Sequence, residues 1–150
     1  MPARNQAALD FLLSRKSYPA KMLTAPYPGR EDLTEMLTAA ARTPDHGKLE
    51  PWRFIVLNGA ALDRLAAAME MRGPEMGEDP EKVAKSVATY RGAGCAVVVV
   101  SSPVALDKFP TSEQVYSAGG ACLALVNAAT AAGWGASWIS GWFSHDRTFV

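Results

Sequence analysis

Two cysteines, two histidines and no excess of either charge are the first constraints on this 150-residue chain. Cys95 and Cys122 stand far apart without CxxC spacing, which fits reduced, buried thiols better than a disulfide framework or a thiolate metal site. With His46 and His145 the only histidines, and no carboxylate at a ligand spacing from either, the chain has no metal-binding set. Lys plus Arg number 15 and Asp plus Glu number 15, so no basic field directs the protein to nucleic acid or an anionic membrane, and any phosphate site must be local. Long hydrophobic runs are missing too. The longest, Cys95 to Val100, is far too short to span a bilayer, and Met1 to Asp10 lacks the charged-then-apolar order of a signal peptide. The expectation is a soluble, cytoplasmic protein.

Catalytic signatures are equally sparse. No GxSxG, GxGxxG or GxxxxGK[ST] occurs, which leaves no nucleophile elbow and neither standard nucleotide loop. An enzyme without an evident nucleophile, metal or acid–base pair delegates its chemistry to an organic cofactor. For this chain, catalytic side chains of its own are therefore not assigned.

What is present is enough apolar material for one compact domain, 49% hydrophobic residues with ten prolines as punctuation. Ala8, Leu9, Leu12 and Leu13 recur at helical spacing in a first helix over residues 6–14. Prolines 19, 26 and 28 open the chain before a second helix that begins at Glu31-Asp32 and stops near Arg42. Trp52 to Asn58 reads as a strand, Ala60 to Met71 as a helix, Gly73 to Pro80 as a mobile surface loop and Glu81 to Tyr90 as a helix. Cys95 to Ser101, with four consecutive valines, predicts a central strand covered on both faces. Ser112 to Ala132 is the longest helical stretch. Its small residues Ser117-Ala118-Gly119-Gly120-Ala121-Cys122 cost helix stability, about 1 kcal/mol for each glycine, so a close-packed neighbour is expected there. Ala136 to Ser140 predicts a further short strand, and Ser144 the cap of a last helix cut off at Val150. Helices alternating with short strands make an α+β or α/β sandwich around a small sheet.

Three clusters could carry chemistry. Arg15-Lys16-Ser17 offers a guanidinium, an ammonium and a hydroxyl, a set that suits a phosphate monoester; cations completing a helix C-terminus in solvent are the plain alternative. Arg42 lies four residues before His46 in a short polar loop held between Pro44 and Pro51, which also carries Asp45, Lys48 and Glu50. Both Arg42 and His46 can face one cavity, or can serve only the helix end and the turn. In Gly133-Trp134-Gly135-Ala136-Ser137-Trp138-Ile139-Ser140-Gly141-Trp142, three tryptophans among small residues either let the chain approach a flat ligand or pack the end of the sheet.

Taken in order, Arg15-Lys16-Ser17, Arg42-Thr43-Pro44-Asp45-His46 with Glu50-Pro51-Trp52, the Cys95 to Ser101 strand and Trp138-Ile139-Ser140-Gly141 resemble the nitroreductase family, and most closely its small class of NAD(P)H nitroreductases. The resemblance covers residues 5 to 150. It implies an α+β nitroreductase-like fold with helices around a small mixed sheet, in a domain-swapped homodimer that binds FMN at the subunit interface. Arg15, Lys16 and Ser17 would hold FMN from one subunit, Arg42 and His46 would reach it from the other, and Trp138, Ile139 and Ser140 would complete the pocket. Ala128, Ala129, Thr130, Ala131, Ala132 and Gly133 are the weaker candidates for nicotinamide-nucleotide contact. The small-residue face of the long helix becomes dimer packing.

Lys48 and Glu50 stand where larger relatives carry asparagine and glutamine, so this loop is expected to meet the flavin ring differently. Relatives also continue past the equivalent of Val150 with a strand and an arm that wraps the partner. The expectation is a single nitroreductase-like domain, residues 1–150, that is C-terminally truncated, with stability and flavin affinity both impaired. The implied activity is electron transfer from NAD(P)H through FMN to nitroaromatic or quinone-type acceptors in alternating half-reactions. A flavin-binding sensor without turnover and a cofactor-free dimeric interaction module are the alternatives.

Overall fold

The computed structural model describes residues 3–149, and three of its helices begin where a side chain satisfies a free backbone N–H group. Asn5 caps helix α1 (Gln6–Ser14), its Oδ1 accepting from the Ala8 N–H at 3.1 Å. At the start of α2 (Arg30–Ala40), Asp32 reaches back to accept from the Gly29 N–H at 3.0 Å. Strand β1 (Trp52–Asn58) and helix α3 (Ala60–Glu75) follow. Asp79 then caps α4 (Pro80–Arg91), with Pro80 at a first-turn position that needs no donor. Strand β2 (Cys95–Ser101) and the long helix α5 (Thr111–Ala131) complete the main elements. Single 3-10 turns occupy Ala20–Met22 and Trp142–His145.

The chain condenses into two units. The first contains the residues through Tyr18, Pro28–Arg53 and Val99–Trp138; the second contains Pro19–Tyr27, Phe54–Val98 and the residues from Ile139 onward. β1 and β2 pair in one two-stranded sheet. Its pairing continues one step beyond the strands in the first unit, where the Ser102 N–H donates to the Pro51 carbonyl at 2.9 Å, so the start of β1 meets the end of β2.

In the first unit α2 packs on α5, and Met36 and Ala40 of α2 and the small side chains Ala118 and Ala121 of α5 are buried. Gln114, only 3% exposed, ties the connection before α5 to that helix. Its amide accepts from the Val104 N–H at 2.8 Å and donates to the carbonyls of Val104 and Phe109 at 2.9 and 3.2 Å. In the second unit α3 and α4 bury Ala66, Met69, Val83 and Val87, and Trp142, Phe143 and Phe149 cover that core edge-on or tilted to one another. Arg72 on α3 clamps this last segment with a two-pronged bond to Asp146, at 2.6 and 3.1 Å.

Four expectations from sequence differ from the structure. The stretch from Gly73 is not a mobile loop at its beginning: α3 runs on to Glu75, with Pro74 inside its last turn. Gly73 is buried, and a Cβ there would overlap the Val83 side chain, so close packing with α4 carries the helix through a glycine-proline pair that local propensity disfavours. Ala136 to Ser140 is not a strand. The Ala136 carbonyl instead accepts from the Tyr18 N–H at 3.0 Å, so its bonding goes to a neighbouring loop rather than to a sheet. With two strands among the described residues, β2 has no central place, and Val98 is 37% exposed. Ser144 lies within the Trp142–His145 turn, where its hydroxyl accepts from the Gly141 N–H at 3.2 Å.

Candidate functional site

The site is built where α2 ends. Ala41, Arg42 and Thr43 donate their N–H groups to Leu37, Ala39 and Ala40, winding the chain off the helix before Pro44 forbids another turn. The loop is then fastened to α5 by the Ser117 hydroxyl, which donates to the Pro44 carbonyl at 2.8 Å. Gly120, one turn along α5, lets Thr43 approach so closely that an added Cβ would stand 3.0 Å from its Cγ2. Part of the small-residue run in α5 therefore serves packing within the subunit, while Gly119 beside it faces open space.

Between the two prolines the backbone is unusual. Gly47, Lys48 and Glu50 all adopt left-handed conformations, with φ of 91°, 55° and 48°. Each non-glycine in that region costs on the order of 1–3 kcal/mol, a burden found where a loop must present particular groups. Asp45 offsets it: its two carboxylate oxygens accept from the N–H groups of Leu49 and Glu50 at 2.7 and 3.1 Å. Asp45 is thus a structural residue of the loop. Gly47 sits flat against the Phe109 ring, 2.6 Å from where its Cβ would be.

This arrangement sets Arg42 and His46 on one groove of about 720 Å³ between the α2 end and α5. Gly120, Leu123 and Ala124 form its apolar floor, with Tyr116 and Asn127 along the same helix. The Arg42 guanidinium has no hydrogen-bond partner among the described residues and is exposed. His46 Nδ1 lies 2.9 Å from Glu113 Oε2, and its ring meets Phe109 edge-on with centroids 4.7 Å apart. The two side chains are 62% and 47% exposed, so the contact lies at the open side of the groove.

Arg15, Lys16 and Ser17 do not line this groove. They follow α1 as an extended strip in which an Arg15 guanidinium nitrogen donates to the Ser17 hydroxyl at 3.3 Å and the Lys16 ammonium lies 5.7 Å from the Tyr18 ring centre. Arg15 Nε is buried without an acceptor. Trp134 Nε1, on the segment bonded to Tyr18 through Ala136, is a second buried donor without one. Trp138 is 54% exposed, and Ile139 and Ser140 are also exposed.

Ala128 to Gly133 close α5 in a Schellman turn. Gly133 takes φ 86°, its N–H bonds the Thr130 carbonyl at 3.1 Å, and the Trp134 N–H bonds the Ala129 carbonyl at 2.9 Å. Those carbonyls are engaged, which leaves small side chains as the accessible surface. Burial pushes the thiols of Cys95 and Cys122 up from their ordinary values, so neither is an activated nucleophile at neutral pH.

Glu113, Asn127 and Trp134 are the site residues that sequence reasoning had not singled out. Glu113 reads as an ordinary first-turn acid, and nothing local couples it to His46, 67 positions away. Asn127 carried a signal: it is the one carboxamide in the apolar and small run from Leu123 to Ala129, and its Oδ1 is buried without a donor. Trp134 was part of the glycine-tryptophan cluster but had no role within it.

One helical unit thus carries a polar, strained loop over an apolar groove and, elsewhere, a cationic strip. The particular relationship follows from comparison with known proteins. The nitroreductase family profile matches residues 12–149, and the chain belongs to that family. It is 36% identical over 134 residues to "Putative NAD(P)H nitroreductase YdjA" of Escherichia coli K12, a match that covers 89% of this chain and 72% of that protein. A nitroreductase-like family protein from Bacillus cereus superposes with a TM-score of 0.77 at 18% identity, over 99% of this chain and 77% of that one. The FMN-dependent nitroreductase NfnB from Mycobacterium smegmatis, solved in complex with NADPH, gives 0.60 at 18% identity, over 85% and 72%. The α+β nitroreductase-like fold expected from sequence is thereby shown. Among the described residues, no helix is long and apolar enough to cross a membrane.

Proposed function

We propose that this chain is an FMN-dependent oxidoreductase that uses NAD(P)H to reduce nitroaromatic or quinone-type acceptors in alternating half-reactions, and that it acts as a homodimer. The observation that carries the reading is the separation of its two cationic groups. Arg15-Lys16-Ser17 lies off the groove that Arg42 and His46 line, which suits a ligand held by the strip of one subunit and the groove of its partner.

The residues fit the cofactor. Arg15 keeps a buried Nε without an acceptor and bonds the Ser17 hydroxyl, and Lys16 between them adds an ammonium, a donor set that suits a phosphate monoester. Trp138, Ile139 and Ser140 supply an exposed, partly flat wall, and the small side chains of Ala128 to Gly133 leave room for a nicotinamide nucleotide. The chemistry supplied by bound FMN is two-electron redox between NAD(P)H and the acceptor. The side chains would bind, orient and neutralise: Arg15, Lys16 and Ser17 would hold the phosphate, and the Arg42 guanidinium would face negative charge on the ring.

The surface argues for the second copy. Helix α1 buries none of its residues, and Leu12 and Leu13 are 53% and 84% exposed. A helix of nine residues does not hold itself in water, so its apolar face needs a partner. Val115, Tyr116 and Leu123 on α5 are exposed around Gly119 in the same way.

The test is purification followed by flavin absorbance, light scattering and NADPH oxidation with nitrofurazone or menadione. A yellow dimer that turns over supports the proposal. A yellow protein that leaves NADPH unoxidised favours flavin binding without turnover, and a protein that takes up no FMN overturns the reading.

A further inference from the structure

We propose that Glu113 is a positioning residue for His46, holding its imidazole as the Nδ1–H tautomer so that Nε2 is the hydrogen-bond acceptor offered to the flavin. The flavin clause rests on the function proposed above; the tautomer clause does not.

Two contacts fix the ring. A carboxylate only accepts, so the 2.9 Å approach of Nδ1 to Glu113 Oε2 places the proton on Nδ1. Phe109 blocks one side edge-on, and Phe109 is itself pressed by Gly47 of the same loop. Nε2 has no partner among the described residues. Both His46 and Glu113 line the groove, and Glu113 stands in the first turn of α5, a rigid element, whereas His46 rides on a loop. A free imidazole in water favours the opposite tautomer, with the proton on Nε2, so the Glu113 contact changes what the ring can offer. Under this arrangement neutral His46 meets a donor on its ligand, either a hydroxyl or a ring N–H, and not another acceptor.

The alternative role for Glu113 is an ordinary surface ion pair. That role gives no dependence of the His46 tautomer on Glu113 and no difference between Gln and Ala at position 113.

The experiment is long-range 1H–15N correlation NMR of histidine-labelled protein at pH 9. His145→Gln assigns the two signals. The unsubstituted chain should show the Nδ1–H pattern for His46; Glu113→Gln, whose amide oxygen still accepts, should keep it; Glu113→Ala should revert to Nε2–H. FMN titration by fluorescence quenching should then show affinity weakened by about tenfold in Glu113→Ala and near the original value in Glu113→Gln. An Nε2–H pattern in the unsubstituted chain, or an Nδ1–H pattern that survives Glu113→Ala, overturns the proposal. A tautomer that changes while FMN affinity does not overturns the flavin clause. Absence of FMN binding in the unsubstituted chain counts against the proposed function, and the tautomer pattern still decides the positioning role.

Discussion

The hydroxyl of Ser117 donates a 2.8 Å hydrogen bond to the carbonyl of Pro44, and through it the loop bearing Arg42 and His46 is fixed to the middle of the longest helix. Ser117 is only 9% exposed, so neither partner can exchange this bond freely for water. Replacing Ser117 with Ala should destabilise the chain by about 1 kcal/mol and weaken FMN binding as the loop loosens. Thermal unfolding and FMN titration of the same preparation measure both effects; a loop anchored by packing alone would leave both unchanged.

Gly47→Ala should cost more. It forces a side chain into φ 91° and onto the Phe109 ring, for an expected loss of about 1–3 kcal/mol. Gly77, also at positive φ but with nothing near its Cβ position, provides the comparison: Gly77→Ala bears only the backbone strain. Urea denaturation of the two variants should rank them in that order.

Arg42→Ala should leave the unfolding temperature where it is, since the guanidinium is exposed and bonds nothing among the described residues. FMN affinity should fall, by about tenfold or more for a lost charge-assisted contact. Parallel calorimetry and flavin titration check this, and an unaltered affinity would remove Arg42 from the site.

Gly119→Leu tests the dimer face. A Cβ at Gly119 meets nothing within 4 Å among the described residues, so the helix gains about 1 kcal/mol of propensity while the bulk obstructs an approaching copy. Light scattering should show a shift toward monomer at unchanged or raised thermal stability. A dimer unaffected by this substitution uses another surface.

The Arg72–Asp146 clamp makes a pH prediction. Hydrogen bonding to Arg72, opposed in part by burial, holds the Asp146 carboxyl below its ordinary range. A group with a depressed folded-state value contributes stability that is present above its unfolded value, about pH 4, and is lost as pH falls through the folded one. Melting temperatures followed from pH 6 to pH 2 should therefore fall more steeply in the unsubstituted chain than in Asp146→Asn, which has no carboxyl to protonate at that position.

Some of this protein was legible because its physics is local. The spacing of Leu9, Leu12 and Leu13 sets α1, and the bounds of β1 and β2 follow from Pro51, Gly59 and the valine run. Arg42 and His46 could be paired from four-residue spacing after a helix end. Local rules failed where a distant residue supplies the energy. Gly73-Pro74 reads as a break, yet Val83 packs so closely on Gly73 that the helix continues. The stretch from Ala136 reads as a short strand, yet its bonding goes to Tyr18.

The sequence by itself determined the family, the helical periods and the residue types available for a phosphate and a flat ring, because each depends on neighbours within a few positions. The tertiary structure decided what each polar group is free to do. Asp45 is occupied with the N–H groups of Leu49 and Glu50, His46 is oriented by Glu113 and Phe109, and Arg42 is left unbonded at the groove. Those outcomes turn on hydrogen bonds and ring contacts shorter than 5 Å between residues up to 67 positions apart, and no periodicity in the chain encodes them.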